Sequence, residues 1–194
     1  TIHQDSFGFM WFGTRNGLNK YDGYSLKVYE SSPSDPQTLK DNRITSIVED
    51  TKGNLYIGTY GGGLNVFDRK TETFSAIINR SNDQKSLSGD VVLSLFYVSD
   101  EEILVGTSEG FCVYNAINNE VTRFDSDQYG ISHNYIEAVA KGEDGVYWLG
   151  TNKGLNAIIP KQEKALVFYS STEPNSLKSD YVKSLCFDSL GVLW

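Results

Sequence analysis

The sequence repeats itself, and nothing else about it limits the fold so strongly. Trp11-Phe12-Gly13-Thr14, Tyr56-Ile57-Gly58-Thr59, Leu104-Val105-Gly106-Thr107 and Trp148-Leu149-Gly150-Thr151 all read aromatic or Leu, apolar, Gly, Thr. The glycines are 45, 48 and 44 residues apart. A fixed period of about 20 to 50 residues marks architectures in which each repeat is one supersecondary unit that buries its apolar faces only against its neighbours.

Other features keep the same phase. Six residues before the aromatic stands an acidic turn: Asp5 with Gly8, Asp50 with Gly53, and Asp188 with Gly191 ahead of Trp194. Nineteen residues before each Gly-Thr an apolar residue (Leu39, Leu87, Ile131) precedes a polar turn and a new apolar run, and Leu177 continues the series. After Gly-Thr come Gly17-Leu18-Asn19, Gly63-Leu64-Asn65, Gly110-Phe111-Cys112 and Gly154-Leu155-Asn156. Each unit divides into four strand-sized pieces, A to D, as in Arg43 to Glu49, Leu55 to Thr59, Leu64 to Asp68 and Phe74 to Ile78. Asp and Gly supply the turn chemistry between A and B, and no segment carries a capped helical period. The pattern predicts an all-β protein, a β-propeller of about four blades with four antiparallel strands each. The units fall at residues 1–38, 39–86, 87–130 and 131–176, with another beginning at 177–194. The first piece reads as a strand B, so its blade is complete only if Tyr181 to Phe187 pairs beside Phe9 to Gly13 in a closed four-bladed ring. The alternative is an arc of a larger propeller.

Composition narrows the function. Seventeen basic against 25 acidic residues leave a net charge of −8, which repels phosphate backbones, so no direct contact with nucleic acid is expected. The 3 Trp, 12 Tyr and 10 Phe suit pleated, half-buried strands rather than an acidic disordered chain. The longest apolar run, Val91 to Val98, is strand-sized and too short to cross a membrane as a helix. Cys112 and Cys186 fall in strand C of one unit and strand A of another, and blade spacing predicts that they are not joined to each other.

The run Ile47-Val48-Glu49-Asp50-Thr51-Lys52-Gly53-Asn54-Leu55-Tyr56-Ile57-Gly58-Thr59, followed by Gly62-Gly63-Leu64-Asn65-Val66-Phe67-Asp68, resembles the two-component regulator propeller repeat, as does the Ser86-Leu87-Ser88 lead-in. The third unit departs, with Ser99-Asp100-Glu101-Glu102 in place of the Asp-x-x-Gly turn and Cys112 in place of Asn. The resemblance implies the sensor region of a hybrid two-component histidine kinase of Bacteroidetes, periplasmic in an inner-membrane protein. It also implies an oligosaccharide ligand and control of polysaccharide-utilisation genes. Kinase and output motifs are absent here, so those activities belong to the implied parent, and so does any contact with the membrane. Adjoining propeller or sensor domains and a homodimer are the other expected partners.

Positions alike in every unit serve every blade, whereas positions that differ between equivalent sites are free to carry function. Gly-Thr, Asp-x-x-Gly, the aromatic series and Asn19, Asn65 and Asn156 belong to the first class and read as structural. At the start of strand A the equivalent positions hold Arg43, Val91, Tyr135 and Tyr181. In a meander the D to A and B to C connections emerge on the same face, where binding residues tend to sit. Arg43, Tyr135 and Tyr181 are therefore the leading ligand candidates, the bland alternative being ordinary channel lining. Aromatic faces stack on the C–H patches of sugar rings, and guanidinium and phenol groups bond their hydroxyls. Arg15, Tyr60, Glu109 and Lys153 in the B to C loops form a variable second ring, for which plain solvated loop residues are the competing reading.

Catalytic signals are thin. His3 and His133 are the only histidines, no local metal or triad signature is visible, and Gly61-Gly62-Gly63 lacks the Lys and the helix that a phosphate loop needs. No catalytic residue, metal or cofactor is assigned. The rivals to a sensor segment are a propeller lyase or glycosidase and a purely structural interaction propeller.

Overall fold

The computed structural model describes residues 1–124, 126–159 and 162–194. Its described strands form four antiparallel four-stranded meanders, each inside one repeat unit. The first holds β1 (Ile2–Gln4), β2 (Met10–Thr14), β3 (Gly17–Tyr21) and β4 (Leu26–Tyr29). The second holds β5 (Ile44–Glu49), β6 (Leu55–Thr59), β7 (Leu64–Asp68) and β8 (Thr73–Ile77). The third holds β9 (Val92–Ser99), β10 (Glu102–Thr107), β11 (Gly110–Asn115) and β12 (Glu120–Phe124), followed by the one-turn α1 (Ser126–Tyr129). The fourth holds β13 (Ile136–Lys141), β14 (Tyr147–Thr151), β15 (Gly154–Ile158) and β16 (Leu166–Phe168). The first strands of successive sheets pack on one another, β1 on β5, β5 on β9 and β9 on β13, and so form the inner wall.

The second and third sheets are packed between neighbours, so the residues of their B strands alternate between two apolar seams. Trp11, Leu18 and Tyr29 of the first blade meet Leu55, Ile57, Phe67 and Phe74 of the second. Tyr56 and Leu64 leave the second blade by its other face and meet Val92, Ile103 and Val105. Leu104 and Phe111 meet Ile136, Leu149 and Ile158 of the fourth blade. The lead-in residues Leu39 and Leu87 are buried in these seams, each worth about 1.5–3 kcal/mol by burial alone.

The repeated residues hold repeated bonds. The glycine of each Gly-Thr pair faces strand A of the next blade, and a Cβ there would stand 2.5 Å from Ile44 at Gly13 and 2.7 Å from Val92 at Gly58. The threonine closes the B to C turn: Thr14, Thr59, Thr107 and Thr151 each donate to a glycine carbonyl at 2.9 Å. The Asn after that turn clamps the lead-in, Asn65 accepting from the Lys40 amide at 3.1 Å and Asn156 from the Ser132 amide at 2.8 Å. Cys112 keeps this function, its sulfur accepting from the Ser88 amide at 3.3 Å. Both cysteines are free, Cys112 buried and Cys186 exposed.

The acidic turn carries more than turn chemistry. Asp5 accepts from the Phe7 and Phe9 amides at 3.0 and 2.8 Å and from Trp11 Nε1 at 2.7 Å. Asp50 and Asp188 do the same for Tyr56 and Trp194, at 3.2 and 2.9 Å. The six-residue spacing therefore ties each turn to the aromatic of its own strand B. In the third blade Ser99 pairs with Glu102 in a tight hairpin, and Asp100 instead takes Tyr97 Oη at 2.9 Å and Lys52 of the second blade at 3.2 Å.

Of the two arrangements left open by the sequence, the closed four-bladed ring is not the one formed. Ile2–Gln4 pairs with β2, so the first blade has its own strand A. Tyr181 to Phe187 does not pair beside Phe9 to Gly13; Cys186 and Trp194 exchange backbone bonds of 3.0 and 2.8 Å in a fifth hairpin. That hairpin adds to the fourth blade through the Val182 amide on the Thr151 carbonyl at 3.0 Å. Sequence periodicity missed β1 because Ile2–Gln4 is only three residues long and lacks an apolar run. Trp148 is correspondingly half-buried and stacks on Phe168 at 5.9 Å beside an open cleft of about 510 Å³ reached by Leu177 and Leu193.

Arg69 ties the first seam together, its Nη1 reaching Asp5 at 2.8 Å and its Nη2 reaching Glu49 at 2.9 Å. Burial opposes the Asp5 charge, but the bonds from Trp11, Arg69 and the Phe9 amide outweigh it and hold the carboxyl below its ordinary value. A folded-state pKa below the unfolded one contributes stability at neutral pH that is lost as pH falls through the depressed value. Asp5→Asn should lower unfolding free energy at pH 7 by about 1–3 kcal/mol. Its melting temperature should also fall less than that of the parent between pH 5 and 3. Thermal melts across that range check both effects, and parallel curves would contradict them.

Candidate functional site at the channel mouth

The start of strand A is fixed by a repeated Asx residue. Asn42, Asp90, Asn134 and Asp180 each precede the variable position, and their side chains accept from the Ser31, Asn79, Ser126 and Ser170 amides at 2.6, 2.6, 3.2 and 2.5 Å. The backbone carbonyls of Asn42, Asp90 and Asp180 also accept from Gly17, Gly63 and Gly154 in the preceding blade's B to C turn, at 2.8, 2.9 and 2.6 Å. Loops of both kinds thus meet on one face, and Tyr60 of a B to C loop bridges to Val91 at the start of the next strand A.

On that face the structure joins most of the predicted residues. Arg43 lies over the Tyr60 ring at 4.7 Å, donates from Nη2 to the Tyr60 carbonyl at 2.9 Å, and pairs with Asp41 at 3.3 Å. Arg15, Arg43 and Tyr60 line one cleft of about 400 Å³ with Ile44 and Thr45. Tyr135 is half-buried and its amide donates to His133 Nδ1 at 3.0 Å. Burial, then hydrogen bonding and charge interaction with Tyr60, then the charges of Glu137 and Tyr181 push its phenol up to about 12. Tyr181 donates to Glu137 Oε1 at 2.8 Å and stays 47% exposed, enough to receive a ligand. Arg43 with Tyr60 and Glu137 with Tyr181 are thus paired by contact, and Tyr135 interacts electrostatically with Tyr60, Glu137 and Tyr181.

The outer ring is less united. Lys153 and Glu109 are exposed, and each donates its amide to the threonine of its own turn at 3.0 Å. Neither lines the Arg15 and Arg43 cleft. Sequence reasoning missed Glu137 and Asp41. Glu137 falls in the register shift between Ile136 and Ala138, where the two-residue alternation breaks, so the strand period did not place it. Its equivalents Thr45, Leu93 and Lys183 vary as the first row does. The polar groups assembled here are phenols, guanidiniums and single carboxylates, which bond hydroxyls and stack on rings. Among the described residues no three His, Cys, Asp or Glu side chains are grouped as metal ligands.

Residues 38–61, from the lead-in through strand B, match the family profile of the two component regulator propeller. They are a two component regulator propeller repeat. A 38-residue stretch is 47% identical to histidine kinase P4 of Formosa agariphila, covering 20% of this chain and 3% of that protein. The propeller superposes over its whole length on the extracellular domain of a hybrid two component system of B. thetaiotaomicron, with a TM-score of 0.85 and 23% identity, covering 26% of that chain. The extracellular domain of a one component system from the same organism matches 98% of the propeller at 25% identity and a TM-score of 0.75, over 24% of its own length. The chain therefore spans about a quarter of the solved extracellular domains it matches. No described helix is long and apolar enough to cross a membrane.

Proposed function

We propose that this propeller is an extracytoplasmic, periplasmic sensor segment of a hybrid two component histidine kinase. In this reading it binds an oligosaccharide at the channel mouth without transforming it, and the parent signals to polysaccharide-utilisation genes. The observation that carries the binding reading is the convergence of repeat-variable residues. Tyr60, Tyr135 and Tyr181 come from three different units yet share one face with Arg43, while the repeat-invariant residues are spent on turns and seams. Tyrosines offer a flat apolar face and a polar tip, the combination a sugar ring requires. The extracellular placement of the matching domains supports the location, and the kinase match supports the signalling role. Adjoining propellers or a second copy would act through the open seams at either end of the arc.

Calorimetric titration against a glycan panel, with turnover assayed in parallel, tests this reading. Once a ligand is found, Tyr135→Ala and Tyr181→Ala should each weaken binding by roughly 1 to 3 kcal/mol and leave the fold intact. Tyr56→Ala removes a seam aromatic that is 3% exposed and should instead lower stability by roughly 3 to 5 kcal/mol. Unchanged affinity in both channel-mouth variants would move the site elsewhere, and turnover of any glycan would favour an enzyme.

A further inference from the structure

The side of the channel mouth that carries Arg15 and Arg43 specifies the ligand further. At one end Glu137 accepts from Tyr181 at 2.8 Å, Lys183 lies over the Tyr181 ring at 5.6 Å, and Tyr135 is half-buried. At the other, Arg15 and Arg43 line the cleft of about 400 Å³ with Ile44, Thr45 and Tyr60, and Asp41 pairs with Arg43 at 3.3 Å.

Arg43 is held in place before any ligand arrives. Its Nε and Nη2 are engaged by Asp41 and the Tyr60 carbonyl at 2.9 to 3.4 Å, and its plane rests on the Tyr60 ring. Those bonds leave the two N–H groups of Nη1 without a partner. Arg15 is exposed on the Thr14 to Gly17 turn, and its side chain makes no ion pair or hydrogen bond with the described residues. Two guanidiniums on one cleft, the first oriented and the second free, repel each other weakly while the cleft is empty. Both gain when an anion enters. Asp41 offsets part of the Arg43 charge, and the unpaired Arg15 adds a positive charge to this cleft in a chain of net charge −8.

Resting on the oligosaccharide reading above, we propose that the ligand is an acidic saccharide. Its carboxylate or sulfate group sits between Arg15 and Arg43, and its neutral ring face lies over Tyr135 and Tyr181.

The test is a titration of the chain with matched pairs: short oligogalacturonides against their methyl esters, and chondroitin sulfate oligosaccharides against the desulfated forms. At least one acidic member should bind 10-fold or more tightly than its neutral counterpart, with an affinity that falls as salt rises. Which pair shows the preference decides between carboxylate and sulfate. Arg15→Ala should abolish the preference with an unchanged melting temperature, Arg15→Lys should retain part of it, and Tyr135→Ala should weaken acidic and neutral members alike. Equal binding of both members of each pair, or a preference that survives in Arg15→Ala, would overturn the acidic assignment and leave the oligosaccharide reading standing. Absence of binding by every member would overturn both.

Discussion

The structure depends on how closely the innermost strand of each blade can approach strand B of the blade before it. The glycines at 13, 58, 106 and 150 make that approach, and at Gly106 and Gly150 an added Cβ would stand 2.8 and 2.7 Å from backbone oxygens of Ile136 and Val182. Backbone cannot yield as a flexible side chain can. Because the A strands are drawn inward there, the wider B to D strands fan outward and leave room for Trp11, Phe67 and Phe111 in the seams. The threonine beside each glycine then fixes the B to C turn, and the Asx before each strand A fixes the D to A loop. Turn, seam and channel are consequences of one spacing rather than separate devices.

That economy explains the division between structural residues and candidate site residues. Once Gly, Thr, Asn and Asp have met the backbone's needs, the residue after each Asx is held rigidly yet is free to vary. Such positions pre-organise a site, because the loop that carries them loses little freedom on binding. Arg43, Tyr135 and Tyr181 occupy them, and Tyr60 and Arg15 approach from the neighbouring turns.

The blades were legible in the sequence because each repeated residue has one physical reason to recur. The strand limits read for the second unit, Leu55 to Thr59 and Leu64 to Asp68, are those of β6 and β7. The aromatic that follows each acidic turn was read as packing, but its bond to the aspartate was not, because spacing alone does not say which carboxylate oxygen remains free. The first strand A escaped notice because Ile2–Gln4 is short and polar, and its omission left the closed ring open as one of two arrangements. In the candidate site, single residues were legible from variation between units. Their mutual contacts were not, because Tyr60 and Tyr135 belong to different units and the path between them depends on the arc. Glu137 was not placed by the strand period, because the alternation breaks at the register shift between Ile136 and Ala138.

Steric room at the strand-B glycine sets the blade spacing. The most direct measurement compares the melting temperatures of Gly106→Ala and Gly61→Ala. A Cβ at Gly106 has Ser94 and the Ile136 backbone in its way, whereas at the exposed Gly61 the nearest atom is 3.3 Å away on the Asp41 side chain. Overpacking of about 1–3 kcal/mol at Gly106 should lower the melting temperature by several degrees for a domain of this size, and Gly61→Ala should melt with the parent. Equal melting of Gly106→Ala and the parent would contradict the claim that this approach organises the fold.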